Sequence, residues 1–131
     1  MNALKPLCMA LFMACAPLVA MAAEDVGLSK QHAACMDKSE GITMKMMACI
    51  NDEYQRQDAR LNKAYKALMA ELSPERKKQL LAVQRAWIKY RDANCNFYGD
   101  PDGGSLARID ANGCMLRSAA SRANELEAFR E

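Results

Sequence analysis

Across 131 residues, 18 Lys and Arg face 16 Asp and Glu, a formal charge of +2. So close a balance points to neither nucleic acid nor an anionic membrane surface as partner, because both are bound through an excess of cations. The length suits one small domain with a modest core, in which covalent cross-links add appreciably to stability.

The N-terminus reads as a cleaved secretory signal over residues 1–22. Lys5 supplies the positive charge, an apolar stretch follows, and Ala20-Met21-Ala22 offers the small residues a signal peptidase needs. Cleavage there starts the mature chain at Ala23, with Glu24 as the alternative, and leaves a single domain over 23–131 in the periplasm or the medium. Phe12-Met13-Ala14 before Cys15 departs from a lipobox, and Pro17 argues against a permanent membrane anchor. After cleavage nothing ties the chain to a membrane.

The remaining pattern is all-α. A short helix is expected from Leu28 to about Lys38, broken by Ser39-Glu40-Gly41, with Thr43 as N-cap of the next. From Met44 to Leu72 there is neither Gly nor Pro, and Met47, Ile50, Tyr54, Leu61, Tyr65, Leu68 and Leu72 recur at helical spacing. Ser73-Pro74-Glu75 is a stop and restart, with a cap, a proline at the first helical position and a carboxylate at the positive helix end. The third helix should run to about Phe97, with Leu80, Leu81, Gln84, Trp87, Ile88, Arg91 and Cys95 on one face and Trp87 as its core aromatic. Gly99-Asp100-Pro101-Asp102-Gly103-Gly104 is a loop, and a last helix starts near Ser105 and heads for Phe129, weakened in its first half by Asn112-Gly113. The expected architecture is a small antiparallel bundle of three long helices plus a short N-terminal one, stapled by disulfides.

With the signal removed, Cys35, Cys49, Cys95 and Cys114 remain, an even number in an oxidising compartment. Three connectivities exist. Pairing Cys35 with Cys49 and Cys95 with Cys114 is favoured because each bridge then closes a short helix-turn-helix segment. The spacings are too wide for a zinc site or a redox pair.

Gln84 and Arg91 are polar residues on an otherwise apolar stripe. In an antiparallel hairpin reversing near Ser73, positions summing to about 146 share a height, which sets Gln84 opposite Asn62 and Arg91 within reach of Asp58. A structural polar network of Asp58, Asn62, Gln84 and Arg91 is expected, with an Asp58–Arg91 pair.

Catalytic chemistry finds little support. His32 is the only histidine, and neither Asp37/Glu40 nor Asp52/Glu53 marks a cleft, since carboxylates on helix faces are ordinarily solvated. No cofactor or metal is called for: Met44 and Met47 fall on the apolar stripe as core filler, and Asp100-x-Asp102 lacks the remaining ligands of a calcium loop. An exposed aromatic or Met patch beside Phe97 and Tyr98 would instead mark a protein interface.

Cys49, Asp58, Leu61-Asn62, Tyr65 and Leu68, then Gln84-Arg85-Ala86-Trp87-Ile88-x-Tyr90-Arg91-Asp92-x-x-Cys95, then Gly103-Gly104-Ser105 and Cys114, occur together in this order. The combination resembles the LprI-type lysozyme-inhibitor family from Cys35 to Leu126. The resemblance implies a small secreted helical domain whose partner is a lysozyme or another cell-wall or periplasmic protein. An inhibitor needs a projecting, preorganised segment that fills the peptidoglycan cleft, and Asp100, Asp102, Gly103, Gly104 and Ser105 are the candidate contact residues.

Overall fold

In the computed structural model, which describes residues 26–129, the chain enters its first helix at Ser29. The signal-peptide reading and the start at Ala23 concern residues outside those described. The Ser29 hydroxyl accepts the His32 N–H at 3.0 Å and so caps α1, Lys30–Lys38. Ser39 closes α1 by returning its N–H and its hydroxyl to Met36 O. Glu40 and Gly41 then reverse the chain at positive φ, 51° and 73°.

The second helix, α2, spans Thr43–Glu71. Thr43 is its first residue rather than its cap; Ile42 holds the cap position without a side-chain bond. Ser73 caps α3, Pro74–Tyr98, by accepting the Arg76 N–H, and Pro74 sits in the first turn as its fixed φ and missing N–H favour. The last helix, α4, is Gly104–Ala128 and runs unbroken through Asn112-Gly113. Glycine weakens an isolated helix, but Gly113 is buried here beside a disulfide-bonded cysteine, and tertiary packing outweighs propensity.

Register follows from the cross-helix bonds. Gln84 meets Arg122 and Cys95 meets Cys114, so α3 runs antiparallel to α4; Arg60 meets Asn124 and Glu127 while Ile50 and Tyr54 share a cavity with Asn112 and Met115, so α2 runs parallel to α4. Both α2 and α3 lean on α4, α1 leans on α2, and α2 scarcely touches α3. This overturns the expected α2–α3 seam. The physical cause is the small-residue face of α4: Ala119, Ala120 and Ala123 are wholly buried, which lets backbones approach closely and makes α4 the central helix. Leu61, Ala64, Leu68, Leu80 and Leu126 complete the core, with Tyr54, Tyr65, Met69, Leu72 and Trp87 packed at its margin.

Both disulfides join as the spacing favoured, Cys35–Cys49 with Cα atoms 5.7 Å apart and Cys95–Cys114 with 5.4 Å. Each closes a loop for which chain entropy alone is worth about 3 kcal/mol.

The expected polar network is redistributed. Asp58 accepts from Asn62 Nδ2 within α2, Arg91 pairs with its neighbour Asp92, and among the described residues no ion pair joins Asp58 to Arg91. Gln84 bonds Arg122 rather than facing Asn62. Trp87 is half-buried, with the Arg91 and Arg122 guanidinium carbons 5.0 and 5.9 Å from its ring centre. Of the apolar stripe, Leu81 and Ile88 are exposed, and so is Met44, at 78%, which therefore does not fill the core.

Candidate functional site

The α3–α4 turn is built from its own backbone. Gly99 ends α3 by donating its N–H to Asn96 O. Asp100 Oδ1 then accepts the Asp102 N–H at 2.9 Å, and Asp100 O accepts the Gly103 N–H at 3.0 Å. Asp100 thus serves as the turn former of this segment. A Cβ on Gly103 would lie 2.6 Å from Ala107 Cβ, and Gly104 starts α4 at φ +62°, so both positions require glycine. The Cys95–Cys114 bridge ties the two helices just behind this turn, with Asn94 Nδ2 3.5 Å from Cys114 Sγ.

Asp100, Asp102, Gly103, Gly104 and Ser105 come together here, all exposed. The Gly103 amide is already used inside the turn. The α4 N-terminus has no side-chain cap, so the amides that follow Gly103 are the ones open to an anion. Around the turn stand Phe97 at 86% exposure, Tyr98 at 47% and Leu106 at 65%, the two rings edge to face with centroids 6.4 Å apart. Leu106 had no distinguishing signal in the sequence, since a leucine in a first helical turn is ordinarily buried.

Two further clusters escaped the sequence reading. Glu53, taken there as solvated, is wholly buried, and its carboxylate accepts from Ser29 N–H at 2.8 Å, Ser29 Oγ at 2.6 Å, Gln57 Nε2 at 2.9 Å and Arg56 Nε at 2.8 Å. Burial pushes this carboxyl up, but the Ser29, Gln57 and Arg56 bonds outweigh it and hold it at about 2. Arg60, bonded to Gln57 on its own helix, bridges α2 to α4 through Glu127 and Asn124, and its bonds hold the Glu127 carboxyl below its ordinary value against the opposing effect of burial. Gln57 Nε2 and Asn124 Nδ2 reach Gly27 O and Val26 O, so the two clusters fasten the N-terminal segment to the bundle.

These groups are consumed by structure. A cavity of about 180 Å³ at the far end of the bundle has Arg76, Arg122 and Glu125 as its ionisable lining, and Arg122 pairs with Glu125 at 2.6 Å. Arg122 is 3% exposed, its Nη2 lacks a hydrogen-bond partner, and its guanidinium carbon lies 5.9 Å from the Trp87 ring centre. Among the described residues no group of three or more His, Cys, Asp or Glu could hold a metal, and no helix is long and apolar enough to cross a membrane.

Comparison with known proteins adds the family. The model described as lysozyme inhibitor LprI matches residues 35–126, from the first disulfide cysteine to the last buried leucine of α4. An uncharacterized protein of Rhizobium meliloti (strain 1021) is 30% identical over 102 residues, covering 67% of this chain and 73% of its own length. No solved structure matches the chain. The matched span contains both disulfides, the Gln84–Arg122 contact and the whole α3–α4 turn, and the chain belongs to the LprI lysozyme-inhibitor family.

Proposed function

We propose that the protein is a non-enzymatic lysozyme inhibitor working outside the cytoplasm, with the disulfide-held α3–α4 turn as its contact segment. One observation carries this reading: Phe97, Tyr98 and Leu106 are exposed around a turn that Cys95–Cys114 fixes in advance. Large apolar side chains held in water at a rigid tip are what a protein interface anchors on, and a preorganised turn loses little conformational freedom on binding. Asp100 and Asp102 add a local negative charge suited to the strongly basic c-type lysozymes. The first amides of α4 point a positive helix end outward, a feature able to meet one of the paired carboxylates of a glycosidase. Family membership supports the activity, and two disulfides together with that membership support an oxidising, extracytoplasmic compartment.

The test is clearance of purified peptidoglycan by c-, g- and i-type lysozymes with excess oxidised protein, and again after reduction. Dose-dependent inhibition by the oxidised form is expected, with loss on reduction. Unimpeded clearance by all three classes sinks the proposal and leaves a helical envelope domain whose partner is sought by pull-down.

A further inference from the structure

The near-neutral overall charge conceals an uneven distribution. Helix α3 carries Arg76, Lys77, Lys78, Arg85, Lys89 and Arg91 against only Glu75 and Asp92, whereas α4 is balanced and α2 nearly so. Because α3 packs chiefly on α4, the side of it turned away from that contact is open. Lys78, Leu81, Arg85, Ile88 and Lys89 are all exposed and recur at helical spacing, forming one stripe that alternates cations with branched apolar side chains. Arg91 is neutralised by Asp92, but among the described residues Lys78, Arg85 and Lys89 enter no ion pair.

We propose that this outer face of α3 docks the protein on an anionic phospholipid surface. A helix of 25 residues is about 37 Å long, enough to lie along a bilayer plane over several headgroups. Lysine and arginine stems extend over the headgroup boundary while their charges meet lipid phosphates, and Leu81 and Ile88 sit shallowly between them. A cationic face is unsuited to a basic lysozyme, so this surface is distinct from the turn that carries Asp100 and Asp102. The docking therefore stands or falls independently of the inhibitor reading.

The test is co-sedimentation of the full oxidised chain with vesicles of phosphatidylcholine alone or with about one third phosphatidylglycerol, at low and high salt. Retention is expected only on the anionic vesicles and should fall with salt. Each cation near such a surface contributes about a fivefold gain in partitioning, so the K78E/R85E/K89E variant, which removes three cations and adds three repelled carboxylates, should bind at least about a hundredfold more weakly. A control carrying K45E/K66E/R108E, exposed positions on α2 and α4, should keep most of its binding. Circular dichroism of both variants checks that each remains helical. No retention on anionic vesicles overturns the proposal, as does equal loss in the two variants, or binding confined to purified peptidoglycan sacculi.

Discussion

Gln84 Oε1 accepts the Arg122 Nε hydrogen at 3.0 Å, inside the α3–α4 contact where both side chains are buried. Since Arg122 Nη2 already has no hydrogen-bond acceptor, truncating Gln84 leaves a buried guanidinium with Glu125 as its one polar partner. Gln84→Ala is therefore expected to lower stability by about 1–3 kcal/mol, the cost of orphaning a buried donor. In an Arg122→Met background the same change should cost much less, because no donor remains to be orphaned. Urea unfolding of the four chains measures the coupling, and strictly additive losses would show that the two side chains act separately.

Glu53 gives a pH dependence whose sign is fixed. Its folded value of about 2 lies below the ordinary 4.5, so its stabilising contribution is complete above pH 4.5 and is lost as pH falls from there through 2. The shift corresponds to on the order of 3 kcal/mol. Glu53→Gln should be less stable than the parent at pH 7, with the gap closing steadily below pH 4.5. A gap that stays constant down to pH 2.5 would mean that the carboxylate charge contributes nothing beyond its shape.

The two disulfides should separate by function. Cys35→Ser/Cys49→Ser and Cys95→Ser/Cys114→Ser are each expected to lose about 3 kcal/mol. Only the second pair frees the α3–α4 turn, so only it should lose lysozyme inhibition under conditions where both chains are still folded by circular dichroism. Equal inhibition by the two variants would remove preorganisation of the turn from the mechanism.

Gly103 tests how tightly that turn is built. Its missing side chain admits Ala107, which is itself buried, and a methyl group there would meet Ala107 Cβ at 2.6 Å. Gly103→Ala should cost about 1–3 kcal/mol through overpacking. Thermal unfolding unchanged from the parent would show that the first turn of α4 yields without strain.

What the sequence disclosed depended on how local each determinant is. The break at Ser73-Pro74 was legible because cap and proline act within one turn of chain, and both cysteine pairings were legible because each closes a single reversal. Asp58–Arg91 failed because a two-helix register omits a third helix: the alanine face of α4 draws α2 and α3 onto itself and leaves Asp58 and Arg91 to neighbours on their own helices. Glu53 escaped because its partner Ser29 lies 24 residues away, at the cap of a separate short helix. The turn at 99–105 was visible as a Gly/Pro/Asp cluster, while the exposure of Leu106 depends on where α4 begins and which way its first turn faces.

Phe97 is the sharpest probe of the contact segment. At 86% exposure it packs on little besides Tyr98, so Phe97→Ala should change stability by no more than about 0.5 kcal/mol. Interface anchors of this kind typically cost 2 kcal/mol or more when truncated, so affinity for an inhibited lysozyme should fall by roughly 30-fold. Tyr90→Ala, an exposed aromatic on the same helix but away from the turn, serves as the matched control and should leave affinity unchanged. Calorimetric titration of both variants decides the matter: a drop for Tyr90→Ala with none for Phe97→Ala would move the contact from the turn to the side of α3.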